Sequence, residues 1–190
     1  MRGVLPLVLG CAISSLACGG RAEPAPAQPV AVAQPEFSIA CTVFPPVADE
    51  IADCARREVN GELALRPGIV GDTANGDPGG VLIAGELYFA LPSGRTAPAF
   101  AFDNGLDYFV EGLARSVSDG KFGFVDQKLE LVIPRTWDFA FPFENGVARV
   151  CQGCTISDDG EHGEVTGGTW STIDRAGRIV EPEETAQVPG

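Results

Sequence analysis

Positive charge is scarce in this chain of 190 residues, which carries 13 lysines and arginines against 26 aspartates and glutamates, a formal net charge of −13. Binding to nucleic acid rests on a basic footprint that neutralises phosphates, so that class of partner is excluded. No apolar run reaches the roughly 18 residues needed for a membrane-spanning helix. No Gly-x-Ser-x-Gly elbow occurs, and no second Cys-x-x-Cys or His-x-x-x-His pair accompanies the one at 151–154. The only histidine, His162, sits among acids in a polar loop. Hydrolase-type catalysis and a zinc finger therefore lack their signatures, and no enzyme activity and no cofactor are expected. What is abundant is turn chemistry: 24 glycines and 15 prolines favour short strands over long helices.

The first 17 residues read as an export signal, with Arg2 followed by an apolar stretch that is too short to span a membrane and ends at small residues. The tetrapeptide at 15–18 resembles a bacterial lipoprotein box, which implies acylation of Cys18 and attachment to a membrane of the bacterial cell envelope, at the outer membrane or facing the periplasm. Residues 18–36 then form a Pro/Ala-rich, extended tether.

A helix is expected next, within an N-terminal cap spanning 37–80. Pro45 and Pro46 suit a first turn, Asp49 and Glu50 follow where the helix dipole favours anions, and Asn60-Gly61 supplies a left-handed stop. Val47, Ile51, Cys54 and Ala55 recur at helical spacing, which places Cys54 on an apolar face. Cys41 is its natural disulfide partner in an oxidising compartment, and a reactive thiol is the alternative.

The remainder repeats itself. FVEGLAR at 109–115 matches FENGVAR at 143–149 at a shift of 34, and GKFGFVDQKLELVIP at 120–134 matches GTWSTIDRAGRIVEP at 168–182 at a shift of 48. The difference, 48 − 34 = 14 residues, is an insertion within the last copy. GELYFALPSGRTAP at 85–98 is a worn earlier copy. Each second block reads as a hairpin whose return strand, Leu131 to Ile133 in the middle copy, ends at Pro134. A lone hairpin is marginal in water, so the copies must stack to bury their aromatic faces.

These blocks resemble the WG repeat family, whose units run F-x-E-G-L-A, G-K-W-G-Y-I-D, G-x-x-V-I-P and an aromatic-Asp pair. The matching positions are Phe109, Gly112, Phe122, Gly123, Asp126, Trp137 and Asp138 in one unit and Phe143, Gly146, Trp170, Asp174 and Gly177 in the next. Phe122-Gly123 and Trp170-Ser171 depart from Trp-Gly, and Leu129 stands where a turn glycine is usual, which puts the turn at 127–130 in question. The resemblance implies a mainly β fold of antiparallel hairpin repeats stacked into one domain over residues 81–182, with the short N-terminal helix before it and an acidic tail, 183–190, after it. It also implies a non-catalytic binding module and offers no shared catalytic apparatus.

The insertion carries Cys151 and Cys154, followed by Asp158, Asp159, Glu161, His162 and Glu164. In an exported chain the pair reads first as a short-loop disulfide. The alternatives are a metal site built on Cys151, Cys154 and His162, or a redox-active pair. Asp72, Asn75 and Asp77 read as a solvated turn ahead of weak calcium ligation. The aromatics Tyr88, Phe100, Phe102, Tyr108 and Phe109 read as core ahead of a ligand platform. The expected function is that of an envelope lipoprotein, held to the membrane by its lipid, whose acidic surface favours a basic protein partner.

Overall fold

The computed structural model describes residues 35–44, 50–71, 73, 76–102, 105–158 and 163–180, the side chains of residues 158 and 163 excepted. The expected signal, Cys18, most of the tether, His162 and the acidic tail lie outside them. Fifteen strands appear and, among the described residues, no helix. In chain order they are β1 (Ile39–Phe44), β2 (Ile51–Arg57), β3 (Leu63–Leu65), β4 (Gly79–Ile83), β5 (Glu86–Ala90), β6 (Thr96–Pro98), β7 (Ala101–Phe102), β8 (Gly105–Leu106), β9 (Leu113–Ser118), β10 (Lys121–Asp126), β11 (Leu131–Trp137), β12 (Phe139–Ala140), β13 (Val147–Asp158), β14 (Gly163–Asp174) and β15 (Ile179–Val180). All pairings are antiparallel. The sheet orders are β3-β2-β1-β4-β5-β6, β11-β10-β9, β12-β13-β14-β15 and β7-β8. The boundary expected between residues 80 and 81 falls inside β4.

The expected helix is corrected by β2. Residues 45–49 lie outside the described set, and Ile51–Arg57 is a strand paired with β1 on one side and β3 on the other. The helical spacing of the apolar residues has a specific cause. Asp53 adopts φ +50° where the β1–β2 register shifts, a bulge that turns two consecutive residues, Cys54 and Ala55, into the core. An interrupted period of two imitates a period near 3.6. Gly61 does adopt the expected left-handed conformation, φ +87°, but in a strand-to-strand turn.

That turn makes β1-β2-β3 a further copy of the repeat. In each copy a three-residue turn joins the second strand to the third, closed by the same two backbone bonds. Glu58 N–H donates to Glu62 O at 2.8 Å and Gly61 N–H to Glu58 O at 2.9 Å. The same pairs recur as Leu91–Arg95 with Gly94–Leu91, Asp126–Glu130 with Leu129–Asp126, and Asp174–Arg178 with Gly177–Asp174, all between 2.9 and 3.0 Å. The third turn position has positive φ in every copy: Gly61 +87°, Gly94 +94°, Leu129 +60° and Gly177 +76°. The substitution at Leu129 thus leaves the turn unchanged. Asp126 and Asp174 add a side-chain clasp, each accepting two backbone N–H bonds through Oδ1, from Lys128 and Glu130 and from Ala176 and Arg178.

Stacking follows a simple rule. The turn side chain or its backbone faces the third strand of the copy before: Leu129 joins Ala97 of β6 in one cluster, and a Cβ on Gly177 would meet Ile133 of β11. The second-strand aromatic faces the copy after. Phe89 packs on Phe109 with centroids 5.1 Å apart, and Phe124 packs on Phe143 at 4.8 Å. The core accordingly falls into three clusters along the chain, on β1–β5, on β5, β6, β9 and β10, and on β9–β14. Leu129→Gly should relieve a left-handed cost of about 1–2 kcal/mol yet forfeit a buried leucine worth more. The expected net loss is about 2 kcal/mol by denaturant titration at unchanged m-value; a gain in stability would contradict this assignment of Leu129.

One further correction concerns Pro134, which does not end the return strand. β11 continues to Trp137, and its register moves from Phe124↔Ile133 to Phe122↔Trp137, two steps along β10 against four along β11. Proline, lacking an N–H, sits in this bulge without losing a ladder bond. The bulged backbone lies directly over Gly123, where a Cβ would come within 2.8 Å of both Arg135 N and Pro134 C.

Candidate binding cleft around Trp170

Arg115 and Arg149 occupy equivalent places in their copies, and their surroundings differ. Arg115 is 2% exposed and bound to an equally buried Asp107. Its Nη2 donates to Oδ1 at 2.6 Å, its Nε and backbone N–H donate to Oδ2 at 3.0 and 2.9 Å, and its Nη1 reaches the Ala140 carbonyl at 3.3 Å. Phe100 and Phe102 lie against the guanidinium, at 4.6 and 5.1 Å from its carbon. At the shift of 34, Phe141 stands where Asp107 would be. Among the described residues Arg149 consequently has no carboxylate within ion-pair distance, and it rests instead over Trp170 at 4.9 Å and Phe141 at 5.8 Å.

The result is a cleft of about 620 Å³ bordered by Phe102, Arg115, Phe139, Phe141, Pro142, Arg149, Glu164, Val165 and Trp170. Trp170 stacks on Phe141 at 5.7 Å, while Phe141 and Phe102 are 41% and 47% exposed. The reason lies in the stacking rule. Phe122 of the middle copy is buried between Phe100 and Phe139, at 5.0 and 5.2 Å. Its counterpart Trp170 has no following copy over it among the described residues. Thr172 likewise replaces the Phe124 that would pack onto a next unit.

The insertion lengthens β13 and β14 into a hairpin arm instead of a separate loop. Its base is kinked where the middle copy has its Asp119-Gly120 turn: Gly153, Gly167 and Gly168 all have positive φ, and the pairing skips from Gln152↔Thr169 to Cys154↔Gly167. Cys151 and Cys154 straddle this kink at disulfide distance, with Cα atoms 6.1 Å apart. Cys41 and Cys54 form the other such pair, joining β1 to β2 at 5.8 Å. Asp138 ties the kink to the middle copy, accepting the Gly153 N–H at 2.6 Å and pairing with Lys121. The Lys121 hydrogen bond foremost, then that of Gly153, hold its carboxyl below the usual aspartate range.

The other motif residues do not converge on one site. Gly112 and Gly146 are the second residues of left-handed two-residue turns, and Glu111 bridges those turns by accepting the Gly146 N–H at 3.1 Å and pairing with Arg175 at 3.3 Å. Phe109, Phe122 and Phe143 are packing residues, and Trp137 lies across from Phe122. The aromatic series expected as core divides: Tyr108 is exposed, Phe109 is packed, and Phe102 joins the cleft. Among the described residues no three His, Cys, Asp or Glu side chains gather as metal ligands, and His162, Asp72 and Asn75 lie outside that set. Sequence reading finds Arg149 only as the last residue of the FENGVAR block and passes over Asp107 and Phe141, which the shift of 34 aligns with each other.

Residues 122–153, from the start of β10 into the kink of β13, match the WG containing repeat. No curated protein and no solved structure matches the chain.

Proposed function

We propose that the chain is a non-catalytic cell-envelope lipoprotein, anchored through Cys18, whose WG-like repeats bind a protein partner at the cleft around Trp170. The carrying observation is that cleft: an arginine without a carboxylate among the described residues, seated on two aromatic rings, beside exposed Phe102. Aromatic rings and arginine supply large contact area with directional donors, the composition typical of residues that dominate binding energy. Glu164, on the same rim, adds an acceptor that orients a ligand. The net charge of −13 favours a partner with a basic surface through long-range attraction. In an exported chain the two cysteine pairs act as disulfide staples, one within the first copy and one at the base of the arm.

A photo-crosslinker placed at position 141 of the full chain, expressed in its envelope, tests this reading. The expected result is a discrete adduct with one protein, lost in Trp170→Ala, in a chain whose Cys18→Ser variant leaves the membrane fraction. Adducts unaffected by Trp170→Ala would refute the cleft as the binding surface.

A further inference from the structure

A second recess lies away from the Trp170 cleft, and three successive repeat copies each send an arginine into it. Arg57 comes from the end of β2, Arg95 from the turn before β6, and Arg135 from the bulge of β11; together with Glu62 and Tyr88 they border a cavity of about 470 Å³. Three cations against one lining acid invert the balance of a chain whose acids outnumber its bases two to one.

The arginines are held in place yet incompletely satisfied. Arg135 donates through Nε and Nη2 to Ser116 Oγ, at 2.9 and 2.7 Å, and that buried hydroxyl donates to the Pro98 carbonyl at 2.5 Å. A neutral oxygen fixes the guanidinium, and no carboxylate lies within ion-pair distance of it among the described residues. Arg57 donates through Nη1 to the Gly61 carbonyl at 2.7 Å and likewise lacks an ion-pair partner there. Arg95 has only a long contact to Glu130, 3.7 Å, with both groups at least half exposed. Glu62 is engaged by the Asn60 amide at 2.8 Å. Burial foremost lowers the Arg135 pKa, and the charge of Glu62 partly offsets it. Burial, and then Glu86, push the Tyr88 phenol up, which keeps it a neutral hydroxyl able to donate.

We infer that this recess binds a small molecule bearing a terminal, dianionic phosphate, seated between Arg57, Arg95 and Arg135. Guanidinium forks match phosphate oxygens bidentately. A cavity of this size holds a small organic molecule as well as the phosphate itself. Three guanidinium forks suit the three free oxygens of a terminal phosphate better than the two of a lipid phosphodiester. The site is independent of the Trp170 cleft and of any partner bound there.

Calorimetric titration of the purified chain with inorganic pyrophosphate, at ionic strength held constant with chloride, provides the test. Saturable binding is expected, weakened tenfold or more in Arg57→Gln and in Arg135→Gln, and unchanged in Arg178→Gln, which removes the same charge elsewhere. Arg57 lies on the surface, so its variant keeps the test decisive should Arg135→Gln fold poorly. Absence of saturable binding, or equal weakening in Arg178→Gln, would overturn the site. Dihexanoyl phosphatidylglycerol is the second probe: tighter binding of this lipid than of pyrophosphate would overturn the assignment to a terminal phosphate.

Discussion

Asp107→Ala is expected to lower the unfolding free energy by about 3–5 kcal/mol, a large share of the 5–15 kcal/mol typical of a domain. The aspartate and Arg115 are both 2% exposed, and removing the carboxylate strands a guanidinium where water does not reach it. The carboxylate also accepts the Arg115 backbone N–H, so β9 loses a bond that aligns it with the segment before it. Thermal denaturation should show a fall on the order of 10 °C for a domain of this size. The double variant Asp107→Leu with Arg115→Met should recover much of the loss, because a buried ion pair repays little beyond the desolvation of its charges. A loss below about 1 kcal/mol in Asp107→Ala would mean that solvent reaches Arg115 and would also weaken the contrast drawn with Arg149.

That contrast was present in the sequence as an alignment of two copies, yet its meaning was not. A shift of 34 shows Asp107 facing Phe141 across the copies, but only the fold reveals that the first residue neutralises an arginine and the second leaves one exposed. The β class and the two later copies were legible because glycine turns and aromatic strands recur at fixed spacing. The earliest copy was hidden by the bulge at Asp53, which places Cys54 and Ala55 side by side in the core and breaks the alternation that marks a strand. Its turn, Glu58 to Glu62, nevertheless aligns with Asp126 to Glu130, and the Leu-Ala-Leu run at 63–65 with Leu-Val-Ile at 131–133. The phosphate recess was illegible for another reason. Arg57, Arg95 and Arg135 come from different strands of different copies, and no local pattern joins them.

Gly123→Ala carries the other large effect, on the order of 3 kcal/mol, although the change adds one methyl group. The glycine does not serve here through positive φ. Its missing Cβ is the space into which the β11 bulge descends, and an added Cβ would collide with the Ile133 carbonyl and lie 2.8 Å from two further backbone atoms. Backbone cannot rotate aside as a side chain can, so β11 must lift from β10 or the bulge must be lost, a strain of the kind that overpacking imposes. The other copies show why the position is free to vary elsewhere. In the second copy Tyr88 occupies it, and β6 pairs there without a bulge, Tyr88↔Pro98 following Phe89↔Ala97. In the last copy Ser171 occupies it, and among the described residues β15 pairs with Thr172 and Ile173. The requirement for glycine thus belongs to the copy whose third strand bulges over this position. Ser171 already carries a Cβ, so Ser171→Ala adds nothing toward the neighbouring strand and should change stability by less than about 0.5 kcal/mol. Guanidinium titrations of the two variants side by side check the pair, and equal losses at 123 and 171 would refute the bulge as the cause.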